Sequence, residues 1–424
     1  MACTRRSFVK ALGLGAAAVS VLGCSRRADS SVFYTPEAKV EQSVTLTVLG
    51  SSGPYFDHSV ISDAADAFME ENPEVLLSYD NVEGDLYATA FERRLSTGHL
   101  DDVFMLDPGQ ARMVDRAGKA CDLSGTAGVE QFDPFVVEAA TDAKGRLVSA
   151  ATRVAPFALF CNPGLCRKAG IAAPATFDDL LSACRDWDGE TPLLEGDAQA
   201  LGKAFVLGPA VLAQDADAAG TFRAASGDPG VFSSLLDPGI ALMGELAATG
   251  AVGLVGVRPG REGWADASAF AAGEAPFMVA GSWAAGLLLR DFADLSWTVA
   301  GLPGPDGAPF AVCDLDACVA LNEGSEHVDQ ARAFVEYLLR PEVMAAYCND
   351  ESCYRPVAAA AGKDTGHRLP YASLAGQERL IAGNGLQYPS TIDRGLSAAV
   401  TVLASGAGAE QAREAAARSL AGTF

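Results

Sequence analysis

The amino-acid sequence predicts an α/β fold built as two lobes, and three observations support this prediction. The chain has 424 residues, which is too long for one small hydrophobic core. Hydrophobic residues make up 49% of the chain and charged residues 20%, so packed cores are expected and wholesale disorder is excluded. Strand and helix patterns alternate from residue 43 onward, and a similar alternation resumes after residue 146.

The first alternation predicts a lobe with a mostly parallel sheet. Residues 43–49 place apolar side chains on one face and predict a strand that ends at a Gly/Ser-rich turn. The pattern then predicts a helix over 61–68, a strand over 75–79, a helix over 86–96 and a strand over 103–106. This order is typical of parallel strands with helices packed on the faces of the sheet.

Polar side chains follow the ends of two of these strands. Ser51 and Ser52 come after the first strand, and Asp107 comes after the third. Ligands bind at the carboxyl ends of strands in such sheets, so these residues are candidate ligand contacts, with Asp107 as an acceptor for hydroxyl groups. Structural roles fit equally well, because Asp107 precedes Pro108 as a helix N-cap would and the serines suit a turn.

The second alternation predicts a further α/β lobe. Strands are predicted over 157–161 and 275–280, a helix over 177–184, a strong helix over 328–338 and a terminal helix over 410–419. We find no internal repeat in the chain. These patterns do not place the points at which the chain passes between the lobes.

The charge balance excludes one class of partner. The chain has 54 acidic and 31 basic residues, which gives a formal net charge of −23. Such a field repels polyanions, so we expect no nucleic-acid partner. A solvated acidic surface accounts for the charge.

The N-terminal segment predicts export. Residues 1–23 carry three cations and no acid, and their apolar stretch over 11–23 is shorter than the about 20 residues of a membrane-spanning helix. Residues 4–10 resemble the twin-arginine export signal. Residues 21–24 resemble the bacterial lipobox, in which Cys24 receives a diacylglycerol. We therefore expect a lipid-anchored protein on the outer face of the cell membrane.

Residues 24–42 are polar and predict a tether between the anchor and the folded body. Cysteines in an exported body favour disulfides. The four histidines are scattered and no Cys-x-x-Cys pair occurs, so no metal site is predicted. Three cysteine pairs share one spacing, which favours local bridges, with free buried thiols as the alternative: Cys161/Cys166, Cys313/Cys318 and Cys348/Cys353.

Ordered blocks of residues run through some 300 residues of the body. The most specific block is 270–283 (FAAGEAPFMVAGSW), and the others are 67–75, 95–103, 144–147, 160–162, 168–180 and 301–307. Together they resemble family 1 of the extracellular solute-binding proteins of ABC importers, the group that includes maltose-binding protein. In the block 95–103, Leu100 and Asp101 stand where the family has a small residue and proline.

The resemblance implies a periplasmic-binding-protein-like fold of type II, with interleaved lobes joined by a hinge that closes on a ligand. Its cleft is the expected pocket. The implied bounds are 43–152 and 303–345 for the first lobe, 155–300 and 350–424 for the second, and hinges near 152–154 and 302–303.

The resemblance also implies which residues contact the ligand. Trp283 is the first candidate, because its indole face can stack on a sugar while its nitrogen donates a hydrogen bond; a core tryptophan is the alternative. Tyr55 would lie near the first-lobe strand ends. Tyr354 and Arg355 match the segment that re-enters the cleft after the last hinge. Asn162 belongs to the block 160–162, which matches the "YN" block of the family, and it would also suit a turn.

The implied function is capture of a sugar or oligosaccharide by a monomeric lipoprotein, followed by delivery to the membrane subunits of an ABC permease. No catalytic residue, metal or cofactor is predicted. A polyamine or another small polar solute is an alternative ligand, and a ligand sensor is an alternative role. A secreted hydrolase is disfavoured, because the sequence has neither a G-x-S-x-G nor an H-E-x-x-H motif.

Overall fold

The computed structural model describes residues 44–52, 58–214, 217–255, 265–348, 353–357 and 367–421. The predicted signal peptide (1–23), the tether (24–42) with Cys24, and Tyr55 lie outside the described residues.

Among the described residues, eleven strands form one sheet. In chain order the strands are β1 Val44–Ser52, β2 Val75–Glu83, β3 Val103–Leu106, β4 Ala150–Cys161, β5 Leu194–Gly196, β6 Val252–Leu254, β7 Phe277–Gly281, β8 Thr298–Ala300, β9 Leu302–Pro303, β10 Pro309–Leu321 and β11 Leu380–Ala382. The spatial order is β2-β1-β3-β10-β4-β7-β5-β6, with β8 beside β4 and with β9 and β11 beside β10.

The sheet has two parallel groups joined by long antiparallel strands. In the first group β1 pairs in parallel with β2 and β3, and in the second group β5 pairs in parallel with β6 and β7. Between them β10 pairs antiparallel to both β3 and β4, and β4 pairs antiparallel to β7. The predicted α/β class is therefore confirmed, and β4 and β10 are the long strands that join the two parallel groups.

Helices cover both groups. They are α1 His58–Glu71, α2 Gly84–Thr97, α3 Pro108–Arg116, α4 Pro134–Ala140, α5 Pro163–Ala169, α6 Phe177–Arg185, α7 Ala198–Gly202, a π-helical turn Lys203–Leu207, α8 Gly208–Leu212, α9 Ala218–Ala225, α10 Pro229–Leu235, α11 Asp237–Ala248, α12 Ala265–Ala272, α13 Trp283–Asp291, α14 Val328–Leu338, α15 Pro341–Tyr347, α16 Tyr371–Gly376, α17 Ile392–Ala404 and α18 Ala409–Leu420.

Apolar periodicity explains how these helices dock. On α1 the buried side chain of Phe68 contacts the rings of Phe334 and Tyr337 on α14, with centroid distances of 5.1 and 5.5 Å. Edge-to-face aromatic contacts of this kind add to the free energy gained by burial.

Within the described ranges no single helix has both the length and the apolar composition of a membrane span, although the bent pair α10–α11 meets that test by length and composition alone.

The two long strands that join the parallel groups pair over residues 150–157 of β4 and 312–319 of β10; we call this paired stretch the crossing. Its register is irregular between Leu315 and Ala317, so Asp316 lies in a bulge opposite Arg153. The lobe bounds stay a prediction. Near the predicted hinge at 302–303, Leu302 pairs with Phe310 and Pro303 with Pro309, so this segment lies antiparallel to the start of β10.

The local disulfide predicted for Cys313 and Cys318 is wrong. Both thiols are buried in β10, five residues apart in one strand. At about 3.3 Å per residue their Cα atoms are about 16 Å apart, far beyond the about 7 Å that a disulfide can span. Cys161 and Cys166 are also free thiols.

Candidate functional site

Two strand ends face each other across the crossing. The last residue of β3, Leu106, pairs with Cys318, and Cys318 pairs with Ala151 of β4. The last residue of β7, Gly281, pairs with Phe157, further along β4. The residues that follow β3 and β7 therefore lie on opposite sides of the crossing, where ligands of such folds are expected.

Trp283 begins α13 directly after β7. Its half-buried ring packs edge-on against Phe157, with centroids 5.3 Å apart and planes at 86°. A Cβ atom at Gly281 would lie 2.2 Å from the ring atoms of Trp283, so the indole sits directly over a glycine backbone. The missing side chain of Gly281 permits this close approach.

Asp107 begins the opposite side of the crossing and is exposed. Its Oδ1 accepts a hydrogen bond of 2.8 Å from the Gln110 N–H, and its own N–H donates to Gln110 Oε1 at 2.9 Å. This is a complete capping box for α3, so the structural alternative for Asp107 is present in the molecule. Contact with a ligand stays a prediction.

Ser51 and Ser52 are the last residues of β1, in parallel register with Val82 and Glu83 of β2. The strand thus runs past residue 49, and the serines belong to it and not to the predicted turn. They end at the same edge of the first group as Asp107, because β1 and β3 are parallel neighbours. Tyr55 lies outside the described residues.

Tyr354 lies against β4. Its N–H donates to the Val154 carbonyl at 3.0 Å, and the Val154 N–H donates to the Tyr354 carbonyl at 2.9 Å. The segment therefore lies against the crossing. The tyrosine ring itself is buried, however, and its hydroxyl accepts a hydrogen bond of 2.7 Å from the Leu369 N–H. The guanidinium of the partly buried Arg355 is directed to the Pro341 carbonyl, 3.5 Å away.

Asn162 is not brought to this site. It lies past the end of β4, five residues beyond Phe157, which is about 16 Å along the strand. Its Oδ1 accepts hydrogen bonds from the N–H groups of Gly164 and Leu165 at 3.0 and 3.1 Å and caps α5. The turn-forming alternative therefore describes its side chain.

Charged side chains also meet at the crossing, and the sequence alone did not predict that they come together. Arg153 Nε lies 2.5 Å from Asp316 Oδ2; the arginine side chain is 8% exposed and the aspartate 31%. The sequence marked Arg153 only as a hinge residue, and acidic pairs such as Asp314/Asp316 are common by chance in an acidic protein. The bulge that presents Asp316 leaves no signature in a single sequence.

A second ion pair, with a completely buried lysine, lies beside the first. Lys203 Nζ donates to Asp314 Oδ1 at 2.6 Å and lies 3.2 Å from Asp393 Oδ1, with no exposure of the lysine side chain. Burial raises the pKa of Asp314 to about 6, because desolvation outweighs the attraction of the ammonium. Burial lowers the pKa of Lys203, but the carboxylates of Asp314 and Asp393 raise it above its ordinary value.

A polar concavity of about 430 Å³ lies at the other edge of the first group, around Thr47, His99 and Asp102. Asp102 Oδ2 accepts from the N–H and hydroxyl of Thr47 at 2.8 and 2.9 Å, and Oδ1 accepts from Ser325 Oγ at 2.6 Å. This carboxylate is thus engaged within the protein.

In the ranges that the structure describes, no cluster of three or more His, Cys, Asp or Glu side chains is arranged to hold a metal ion.

Comparison with known proteins gives one family. The profile described as bacterial extracellular solute-binding protein matches residues 57–345, which is more than half of the chain. No curated protein matches the sequence.

Solved structures share the fold at low sequence identity. A family 1 extracellular solute-binding protein from Bifidobacterium longum subsp. infantis has a TM-score of 0.74 and 17% identity, over 89% of this chain and 99% of that chain. RafE from Streptococcus pneumoniae, in complex with raffinose, has a TM-score of 0.64 and 19% identity, over 90% and 98%. The GacH receptor of Streptomyces glaucescens has a TM-score of 0.65 and 17% identity, over 89% and 97%. These neighbours are two-lobed binding proteins, and the chain shares that fold.

Proposed function

The chain belongs to the bacterial extracellular solute-binding proteins, and from this premise we propose that it captures a sugar or oligosaccharide at the crossing between its lobes. The single observation that carries the proposal is the Trp283 ring, half-buried over Gly281 at the end of β7. An indole face in this position offers an apolar stacking surface for sugar C–H groups, and the ring nitrogen is a hydrogen-bond donor.

Two structural neighbours support a carbohydrate ligand. RafE is described in complex with raffinose, and GacH in complex with acarbose. We extend this ligand class to the present chain. Opposite Trp283, the exposed Asp107 would accept hydrogen bonds from sugar hydroxyls, with Ser51 and Ser52 at the same sheet edge. Tyr55, Tyr354 and Arg355 stay secondary candidates.

We further propose that the protein works as a monomeric lipoprotein, anchored through Cys24, that delivers its ligand to an ABC permease. The family description supports an extracellular location. The export-signal pattern of residues 1–23 and the lipobox-like residues 21–24 support the anchor. Radiolabelled-palmitate incorporation that is lost in Cys24→Ala is the expected result, and incorporation that persists in that variant would contradict the anchor.

A cationic solute such as a polyamine is the second candidate, favoured by the carboxylates near the crossing. Asp107 is exposed and the side chain of Asp316 is 31% exposed, whereas the cations Arg153 and Lys203 are buried. A thermal-shift screen of the mature protein against raffinose, acarbose, xylo-oligosaccharides, spermidine and putrescine separates the two classes, because tight binding raises the melting temperature by mass action. A polyamine hit without a sugar hit would replace the sugar proposal.

Truncation of Trp283 tests the site itself. Trp283→Ala removes an apolar contact worth about 1.5–3 kcal/mol, so the dissociation constant of the sugar found in the screen should rise tenfold or more in calorimetry. Trp187→Ala is the matched control, because that tryptophan is also half-buried but donates its indole N–H to the Thr191 carbonyl after α6. Equal affinity of wild type and Trp283→Ala would refute the proposed site.

A second variant moves the ring without removing it. A methyl group at Gly281 would overlap the Trp283 indole, so Gly281→Ala should displace the ring and weaken sugar binding about as much as its truncation. Gly227→Ala is the control, since a Cβ at Gly227 meets no atom within 4 Å. Unchanged sugar affinity in Gly281→Ala would show that the ring orientation is irrelevant to binding.

A further inference from the structure

A chain of contacts joins the Trp283 ring to the strand that passes between the lobes. The Trp283 ring packs edge-on against Phe157, with centroids 5.3 Å apart. Lys203 Nζ lies 5.1 Å from the centroid of the Phe157 ring, within the range of a cation–π contact. The same ammonium donates to Asp314 Oδ1 at 2.6 Å, and Asp314 belongs to β10.

The sheet register places these groups on one face. Val312 pairs with Phe157 and Asp314 pairs with Ala155, and residues directly opposite one another share a face of the sheet. Phe157 and Ala155 are two residues apart in β4 and so also share that face. Lys203 approaches it from the π-helical turn, a local geometry that often accompanies functional sites.

We propose that Lys203 is a positioning residue for the ligand platform: through Phe157 it holds the Trp283 ring in place, and through Asp314 it ties that ring to the strand joining the lobes. This inference rests on the proposed function, because only a ligand-binding role makes the Trp283 ring a platform. The contacts that join Lys203, Phe157 and Trp283 are independent of that role. A buried lysine held by two carboxylates costs desolvation, and hydrophobic packing would stabilise the core at least as well. We assign to the buried Lys203 the role of fixing the orientation of the Trp283 ring.

Titration of Asp314 provides a way to test the contacts from Asp314 through Lys203 and Phe157 to Trp283. Burial raises its pKa to about 6, so its carboxylate is neutralised within an accessible pH range. The groups that face it are Lys203 from the π-helical turn, Asp393 from α17 and Asp316 from its own strand. Protonation of Asp314 removes the charged tie between the Lys203 ammonium and β10.

Two further groups complete the surroundings. Arg153 is paired with Asp316, so the charge of that neighbour is compensated on the same strand. Burial keeps the pKa of Tyr388, which also senses the charge of Asp314, well above its ordinary value, so this hydroxyl stays neutral throughout. A transition near pH 6 that disappears in Asp314→Asn would therefore report the Lys203–Asp314 pair.

The experiment needs no ligand. The mature protein is labelled with 5-fluorotryptophan, and the ¹⁹F resonance of Trp283 is assigned by its loss in Trp283→Phe. The expected result is a resonance that shifts with pH, with a midpoint near 6 in wild type, and that no longer titrates in Asp314→Asn. Lys203→Met should shift the resonance at neutral pH and abolish the same titration.

Controls separate positioning from general disturbance. The Trp187 resonance should stay unchanged in every variant, and Arg413→Ala should leave the Trp283 resonance unchanged, because its 2.7 Å ion pair with Asp237 lies on the partly exposed α11–α18 contact. If Lys203→Met does not fold, Phe157→Leu breaks the same chain of contacts at another point and should shift the Trp283 resonance without the pH step.

A Trp283 resonance that is identical in wild type, Lys203→Met and Asp314→Asn at all pH values would overturn the inference. That result leaves the proposed function untouched, since sugar affinity can still depend on Trp283. Conversely, equal sugar affinity of Trp283→Ala and wild type would overturn the proposed site while the resonance link stands. The two failures are thus distinguishable.

Discussion

The two strands that pass between the lobes lie side by side but are built differently. All twelve residues of β4 are buried, and its pairing with β7 is regular. The ladder between β4 and β10 is irregular at two successive steps, with Asp316 as the extra residue of β10 and Thr152 as the extra residue of β4. The two strands differ in burial, because Asp314 and Asp316 of β10 are only partly buried. A bulge locally interrupts the ladder and bends a strand. The two strands therefore share the irregular part of the crossing, and β10 is the one that exposes charged side chains there.

Side chains brace β10 on both sides of its bulge. Before the bulge, Lys203 holds Asp314, and the Asn384 side chain accepts from the Leu315 N–H at 2.8 Å and donates to its carbonyl at 3.3 Å. Within the bulge, Asp316 pairs with Arg153 of β4. The Lys203–Asp314 pair is less exposed than the Arg153–Asp316 pair, so their substitution should cost very different amounts of stability.

The largest effect is expected for Lys203→Met. Removing one partner of a buried ion pair leaves an uncompensated charge and costs about 3–5 kcal/mol of unfolding free energy. The measurement is urea denaturation of the mature protein at neutral pH. The double variant Lys203→Met with Asp314→Leu should recover most of this loss, because it removes both charges. A loss below about 1 kcal/mol in the single variant would contradict burial of the pair.

A smaller effect is expected from pH. Because the pKa of Asp314 is raised to about 6 in the folded protein, its protonation stabilises the fold at low pH, and this contribution is lost as pH rises from about 4 through 6. Asp314→Asn lacks the contribution, so its unfolding free energy should decrease less than that of wild type between pH 4 and 6.5, by about 1–3 kcal/mol. Parallel pH profiles would show that this carboxyl has an ordinary pKa.

The smallest effect is expected for Asp316→Asn. Its carboxylate is 31% exposed, and ion pairs that water can reach contribute about 0.2–1 kcal/mol. Urea denaturation should therefore give a loss within that range, with Arg413→Ala as a surface-pair reference. A loss as large as that of Lys203→Met would mean that the bulge excludes water and would remove the contrast between the two pairs.

Several elements could be predicted because their signal is local. The helix predicted over 328–338 is α14, and the terminal helix predicted over 410–419 is α18 with one residue more at each end. Of β4, only residues 157–161 were predicted as a strand. Pro156 and the polar residues before it are unusual in a central strand and hid the first part of β4 from the sequence pattern. The Pro156 carbonyl accepts from the Ser282 N–H, just where β7 has ended, so the missing proline N–H costs no ladder bond.

The candidate site was predictable only in part. Trp283 was chosen as a candidate because its sequence block resembles a family that uses this position, and its contact with a ligand stays a prediction. Asp107 and Asn162 were chosen for their polar groups, and both cap helices, a role their neighbours Pro108 and Pro163 already favoured. Lys203 and Asp314 were missed, because the partners are 111 residues apart and nothing in one sequence joins them.

The amide of Asn384 has a chemical consequence for the lifetime of the protein. It is followed by Gly385, whose missing side chain leaves the backbone open to attack on the amide, so this pair of residues is prone to deamidation. Deamidation would replace the group that donates to the Leu315 carbonyl by a carboxylate that repels that carbonyl. Deamidation of this one side chain would thus weaken the bracing of β10 beside its bulge.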